Sequence, residues 1–301
     1  MTSNSSLMSR LGLGAAILAL IALLVPAVYL LLGATGAVQM NSKSDITSLL
    51  TGAVIVGIVA LALAVVATLL NLPGLFADPR HSVGALIGSA LLLLLSAGFL
   101  FGMALPRAAA VQNLNDKVVP FAQVMRDNCK APLNAAVEDL TTMRNFADTT
   151  KASDAGYAGG AGTYIGVLHK DDGNLASGIA VIQQTDVPDS KYQTLKDECL
   201  KSLVGMVNFL DNPTAIPIPA PYDALLGKGI SGSGLLNASV LAAASGKLPP
   251  GTVQGLISQT LTQVINTKNP ALTKAGDDLT NDIKNGLNDN LSPFKVNIPV
   301  S

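Results

Sequence analysis

The sequence predicts a mainly α protein: a three-helix transmembrane bundle followed by a mostly helical extracytoplasmic domain, with room for one short β-hairpin. Three features carry that expectation. The charges avoid the first third of the chain, small residues recur along its apolar segments, and apolar residues at spacings of three and four run through the remainder. The 301 residues are 49% hydrophobic and 13% charged, with a mean hydropathy of +0.45. That excludes a disordered chain, which combines low hydrophobicity with high net charge. A formal charge of −1 supplies no basic field for nucleic acid. Two Cys, two His and no Trp leave few ligands for metal or redox chemistry, so no cofactor is expected.

Residues 11–42, 46–77 and 81–106 contain no Asp, Glu, Lys or Arg, and only Arg10, Lys43, Asp45, Asp78 and Arg80 are charged before residue 107. Each clean stretch exceeds the roughly 20 residues that carry an α-helix across a hydrocarbon core of about 30 Å. Spanning helices are therefore expected near 11–34, 47–71 and 83–106, within a transmembrane domain over 1–106. A signal peptide is the other reading of the first stretch, although its apolar core outruns the usual 7 to 15 residues.

Orientation rests on parity and cysteine. Arg10 and Arg80 on one side against Lys43, Arg107 and Lys117 on the other leave the positive-inside rule undecided. Three spans from an inner N-terminus, or two after a cleaved signal, both place residues 107–301 outside. Cys129 and Cys199, an even pair beyond the spans, suggest a disulfide in an oxidising compartment, the alternative being two buried thiols. The expected location is a bacterial inner membrane or a plasma membrane, with the C-terminal domain periplasmic or extracellular.

In lipid, close backbone approach through small residues replaces hydrophobic burial as the main attraction between helices. Gly12, Ala15, Ala19 and Ala22 form such a seam in the first span. Ala53, Gly57, Ala60, Ala64 and Ala67 form one in the second. The third carries two GxxxG units, Gly84 with Gly88 and Gly98 with Gly102, two heptads apart on nearly one face. No ionisable group interrupts any span, which argues against a self-contained pump or carrier. Thr51, Thr68, Ser89 and Ser96 are each able to bond their own helix backbone.

Beyond residue 106 the expected parts are an extracytoplasmic helical domain over 107–212, a Pro-rich spacer over 213–221 and a C-terminal helical part over 222–301. Residues 108–128 are expected to continue the third span outward, with helix breaks near Pro106 and Pro120 and a new helix from Pro132. Its stripe is Leu133, Val137, Leu140, Met143 and Phe146; a later helix, capped by Ser190, turns Leu195, Cys199 and Leu203 inward. Residues 151–163 read as a Gly- and Ala-rich loop. TYIGVLH, Asp172-Gly173 and LASGIAVIQQ read as a hairpin or a short helix pair. PTAIPIPAP, with four prolines, favours an extended polyproline conformation. Residues 224–246 form either core helices or an apolar contact surface. Two amphipathic helices, through Leu256, Ile257 and Leu261 and through Leu279, Ile283 and Leu287, precede an extended tail.

Catalytic motifs are approached and missed. GISGSG at 229–234 has Ser233 where a nucleophile elbow requires Gly. GGAGTYIG at 159–166 has Ile165 in place of the third glycine of a dinucleotide fingerprint. His169 beside Asp171 and Asp172 is the one cluster suited to acid–base work, and an exposed turn explains it equally. The expected function is a non-catalytic membrane scaffold or accessory subunit, its outer domain contacting other proteins. Expected partners are other membrane subunits or a second copy, together with membrane lipids. A membrane-anchored sensor that binds a lipid or small molecule, and an extracytoplasmic enzyme using His169, are the rival readings.

Overall fold

The computed structural model describes residues 2–34, 39–40, 43–72, 79–149, 157–217, 220, 223–235, 237, 252–292 and 295–296. The protein is mainly α: strand among these residues is confined to two-residue segments. Two compact units form, Met1–Val118 with Thr280–Ser301, and Val119–Leu279.

In the first unit, α1 (Thr2–Ala34) runs through Pro26 without ending, and α2 (Lys43–Asn71) opens with Asp45, whose charge suits a helix N-terminus. α1 packs on α2, and α2 on α3 (Pro79–Phe99). Two helices among the described residues, Asp45–Asn71 and Val83–Thr149, are long and apolar enough to cross a bilayer; a third apolar stretch, Arg10–Pro26, is shorter. β1 (Gln39–Met40) pairs in parallel with β4 (Lys295–Val296), so the C-terminal segment is not a free tail at those residues.

The breaks expected at Pro106 and Pro120, and the fresh start at Pro132, do not occur. Helix is unbroken from 79 to 149, as α3, α4 (Leu105–Asn113), α5 (Val119–Met125) and α6 (Ala131–Thr149) joined by π-turns. Those turns are Leu100–Ala104, Leu114–Val118 and Arg126–Lys130. Each ends two residues before a proline, and the reason is geometric. A proline offers no N–H to the carbonyl four residues back and its ring presses on that carbonyl. Widening the preceding turn by one residue moves the carbonyl aside, and the amides of Leu105 and Ala131 accordingly donate five residues back, to Leu100 and Arg126. The helix absorbs each proline as a bulge.

The second unit holds α5 and α6 with α7 (Tyr157–Gln184) and α8 (Gln193–Asp211), the last preceded by a 3₁₀ turn at Ser190–Tyr192. α7 replaces the expected hairpin or helix pair, and residues 157–163 of the expected loop belong to it; 150–156 lie outside the described residues. The stripe explains the difference. Ala161, Leu168, Leu175, Gly178 and Ile182 are buried at helical intervals, and that period passes straight through Asp172-Gly173. Asp189, rather than Ser190, caps the 3₁₀ turn by accepting from the Lys191 amide at 3.0 Å.

β2 (Ile216–Pro217) lies inside the expected spacer and pairs antiparallel with β3 (Gly229–Ile230), after a short α9 (Asp223–Leu226). Of 224–246, residues 236 and 238–246 lie outside the described residues; a helical turn at 232–235 carries the buried Leu235. α10 (Thr252–Asn266) packs on α6 and buries Ile257 and Leu261; α11 (Pro270–Leu291) buries Leu279, Ile283 and Leu287. Ile257, Leu261, Leu279, Ile283 and Leu287 follow the expected stripes, and the Leu256 side chain lies outside the described residues.

Candidate functional site

The apolar helices of the first unit pack with mostly small groups inside. Ala19, Ala60, Ala64, Ala67, Ser89 and Ser96 are buried together with Ile46 and Leu100, while many Leu, Ile and Val side chains face out. Of the 26 large hydrophobic side chains exposed among the described residues, 24 lie between Leu11 and Leu105, and only Val181 and Val204 belong to the second unit. A water-soluble fold buries such side chains. Gly57 shows why small residues occupy the seam: a Cβ there would stand 2.9 Å from Leu100 Cδ1. Ala53 in the same helix is half-buried.

Gly84, Gly88, Gly98 and Gly102 are placed differently. All four are exposed, and a Cβ on any of them would meet nothing within 4 Å. They share the outer side of the helix with Ile87, Leu91, Leu94, Leu95 and Phe101. Of the polar groups in these apolar helices, the Thr68 hydroxyl donates to the Ala64 carbonyl at 2.8 Å and that of Ser89 to the Leu86 carbonyl at 3.0 Å. Ser96 departs from expectation, since its buried hydroxyl has no partner.

In the second unit Cys129 and Cys199 are joined as a disulfide, with Cα atoms 6.0 Å apart. Both are buried, Cys129 in the π-turn before Pro132 and Cys199 on the inner face of α8. Phe121 and Tyr192 stack nearby in sequence on the same two elements' approach, with centroids 6.1 Å apart. Behind the bridge, Gly178 meets the Asn128 carbonyl so closely that a Cβ would overlap the oxygen. That carbonyl lies four residues before Pro132 and is the one the proline deprives of its usual donor. The missing side chain at 178 lets α7 close over it.

His169 does not sit in a turn. It is exposed on α7, whereas Asp171 is turned inward and only 4% exposed. Oδ2 of Asp171 and Oδ1 of Asp172 are buried without partners. Burial, followed by the charge of Asp139 on α6 and a shared hydrogen bond with it, pushes the Asp171 carboxyl up to about 6. Burial and Asp211 on α8 raise Asp172, against a smaller lowering by His169. The two carboxyls beside the histidine in sequence are thus each influenced by a further carboxyl, Asp139 on α6 and Asp211 at the end of α8.

Ser233, which stands where a nucleophile elbow requires Gly, uses its hydroxyl structurally, donating to the Leu210 carbonyl at 2.6 Å. The Gly234 amide donates to Ser231 Oγ at 3.0 Å, closing the turn. Asn269 forms another structural node. It caps α11 by accepting from the Leu272 amide at 3.0 Å, and donates to Ser202 Oγ at 2.8 Å and Glu198 Oε2 at 3.0 Å. That amide, then Lys201, holds the Glu198 carboxyl below its ordinary range. No group of three or more His, Cys, Asp or Glu among the described residues is arranged to hold a metal ion.

Sequence reasoning missed Asp139, Asp211 and Gly178. The two aspartates carry no local signal, because only the docking of α6 and α8 brings them to α7. Gly178 was legible as one member of the α7 stripe. No protein family, characterised protein or solved structure matches the chain.

Proposed function

We propose that the protein is a non-catalytic integral membrane scaffold or accessory subunit. Its first unit spans the bilayer as a three-helix bundle, and its second contacts other proteins on the outer side. The observation that carries this reading is the open small-residue face of the third span. Gly84, Gly88, Gly98 and Gly102 are exposed with empty space over each, while Gly57 on α2 is covered by Phe99 of α3 and Leu100 of the π-turn after it. A GxxxG face left open in lipid suits another transmembrane helix, from a partner subunit or a second copy.

Two further features support the topology. The outward-facing aliphatic surface between Leu11 and Leu105 is what hydrocarbon solvates and water does not. The ladder between Gln39–Met40 and Lys295–Val296 needs both segments on one side of the membrane, hence an even number of crossings between them. The helices α2 and α3 supply two. A first crossing by α1 then sets the N-terminus on the side opposite that ladder.

Purification in mild detergent followed by native mass spectrometry tests the reading. Self-association or a stoichiometric membrane partner is expected, and Gly98→Ile with Gly102→Ile should dissociate it. A monodisperse lone monomer, unaffected by the substitutions, would contradict it.

A further inference from the structure

We propose that the facing carboxyls of Asp139 and Asp171, together with those of Asp172 and Asp211, form a proton-operated clamp that tightens the packing of α6, α7 and α8 in acid and loosens it at neutral pH. This goes beyond the scaffold reading and does not depend on it.

The geometry comes first. Successive residues on an α-helix lie about 100° apart, so Asp171 and Asp172 address two neighbours at one level of α7. Asp139, half-buried on α6, is near enough to Asp171 to act on it by charge and hydrogen bond, and the exposed Asp211 at the end of α8 acts on Asp172 in the same way. Asp171 is 4% exposed, yet its Oδ2 finds no donor, and Oδ1 of Asp172 is likewise buried and unpaired. Two carboxylates cannot satisfy one another, because both only accept. One proton per pair changes this: a protonated Asp171 donates to the Asp139 carboxylate and removes one charge from the interface.

The other charges on the packed elements do not substitute for that proton. Lys170, on α7 itself, opposes the rise at Asp171 only as the smallest contribution, and His169 does the same at Asp172. In the π-turn packed against α7, Arg126 pairs with Asp127 at 2.8 Å on the surface and Lys130 is exposed. On α6, Glu138 is exposed. On α8, Lys196 donates to the carbonyls of Gln183 and Thr185, and Lys201 pairs with Glu198.

The direction of the effect follows from linkage. Asp171 holds its proton to about pH 6 in the folded protein, against an ordinary value of 3.8. The folded state therefore binds more protons through this interval, and stability falls as pH rises through it. The stabilisation is complete below pH ~4 and gone above pH ~6. A displacement of about two units corresponds to on the order of 100-fold in the folding equilibrium constant.

The test is urea unfolding of the full chain in detergent at pH 5 and pH 8, read by circular dichroism. Asp171→Asn, whose amide permanently mimics the protonated acid, should resemble the wild type at pH 5. It should also lose the wild-type change between the two pH values, which is on the order of tenfold because pH 5 lies above the interval where the stabilisation is complete. Asp139→Asn, which removes the opposing charge, should flatten the profile in the same sense and covers the case in which the first variant does not fold. Parallel wild-type and variant profiles would overturn the proposal. So would stabilisation of the wild type at pH 8 by millimolar calcium that Asp171→Asn abolishes, since the pair would then hold a cation.

Discussion

Replacing both Cys129 and Cys199 with Ala removes the covalent tie between the π-turn before Pro132 and α8. The bridge closes an interval of 70 residues. Loop-closure entropy for that length is worth roughly 4 kcal/mol at 25 °C. Alanine leaves no buried hydroxyl or thiol behind, so the loss is chiefly that of the constraint. The unit concerned runs from Val119 to Leu279. For a unit of that size each kcal/mol moves the melting temperature by about 2–4 °C, giving an expected fall of about 8–16 °C. Thermal melts of the full chain in detergent, followed by circular dichroism, measure it. The wild type in excess reductant should melt with the variant, because the same loop is opened chemically. If the double variant and the reduced wild type both melt within about 2 °C of the oxidised protein, the reasoning fails, and the second unit is held by packing alone.

Three glycine and cap substitutions probe the remaining contacts. Gly178→Ala drives a Cβ into the Asn128 carbonyl, and overpacking against rigid backbone should cost about 1–3 kcal/mol in a urea titration. Gly173→Ala, on the same helix but exposed with nothing within 4 Å, should instead stabilise by about 0.5–1 kcal/mol through helix propensity. Equal effects of the two would refute the assigned environments. Asn269→Ala removes the α11 cap and its bonds to Ser202 and Glu198, with an expected cost of about 1–2 kcal/mol. The Glu198 carboxyl should titrate at higher pH in that variant, because the amide that lowers it is gone; an unchanged chemical-shift titration would contradict the assignment.

Periodicity made most of the helices legible. The stripes through Leu140 and Met143, through Leu195, Cys199 and Leu203, and through Ile257 and Leu261 are buried as the residue spacing requires. What misled was punctuation. Pro106, Pro120 and Pro132 look like helix boundaries because proline removes one donor and crowds one carbonyl. A π-turn supplies the room at each, and no residue pattern within the helix announces it. Asp172-Gly173 likewise looks like a turn, yet a turn dipeptide costs a long helix only about 1 kcal/mol for the glycine, and the buried stripe outweighs it. Asp171 further obscured the reading, being an acidic residue at a buried position of the stripe. The acidic pairs as a whole were illegible, since Asp139 and Asp171 are distant in sequence and meet through tertiary packing.

The central claim is that hydrocarbon surrounds the outward-facing side chains of the first unit. The chain has no Trp, so one introduced indole reports its own surroundings without background. Leu94, 66% exposed on the outer side of α3, is the position to change, with Val204 of the second unit as the control. In lipid vesicles, Leu94→Trp should emit in the blue, be quenched by brominated acyl chains and resist aqueous iodide, while Val204→Trp shows the reverse. Red-shifted emission from Leu94→Trp, quenched by iodide and indifferent to bromolipid, would contradict the account.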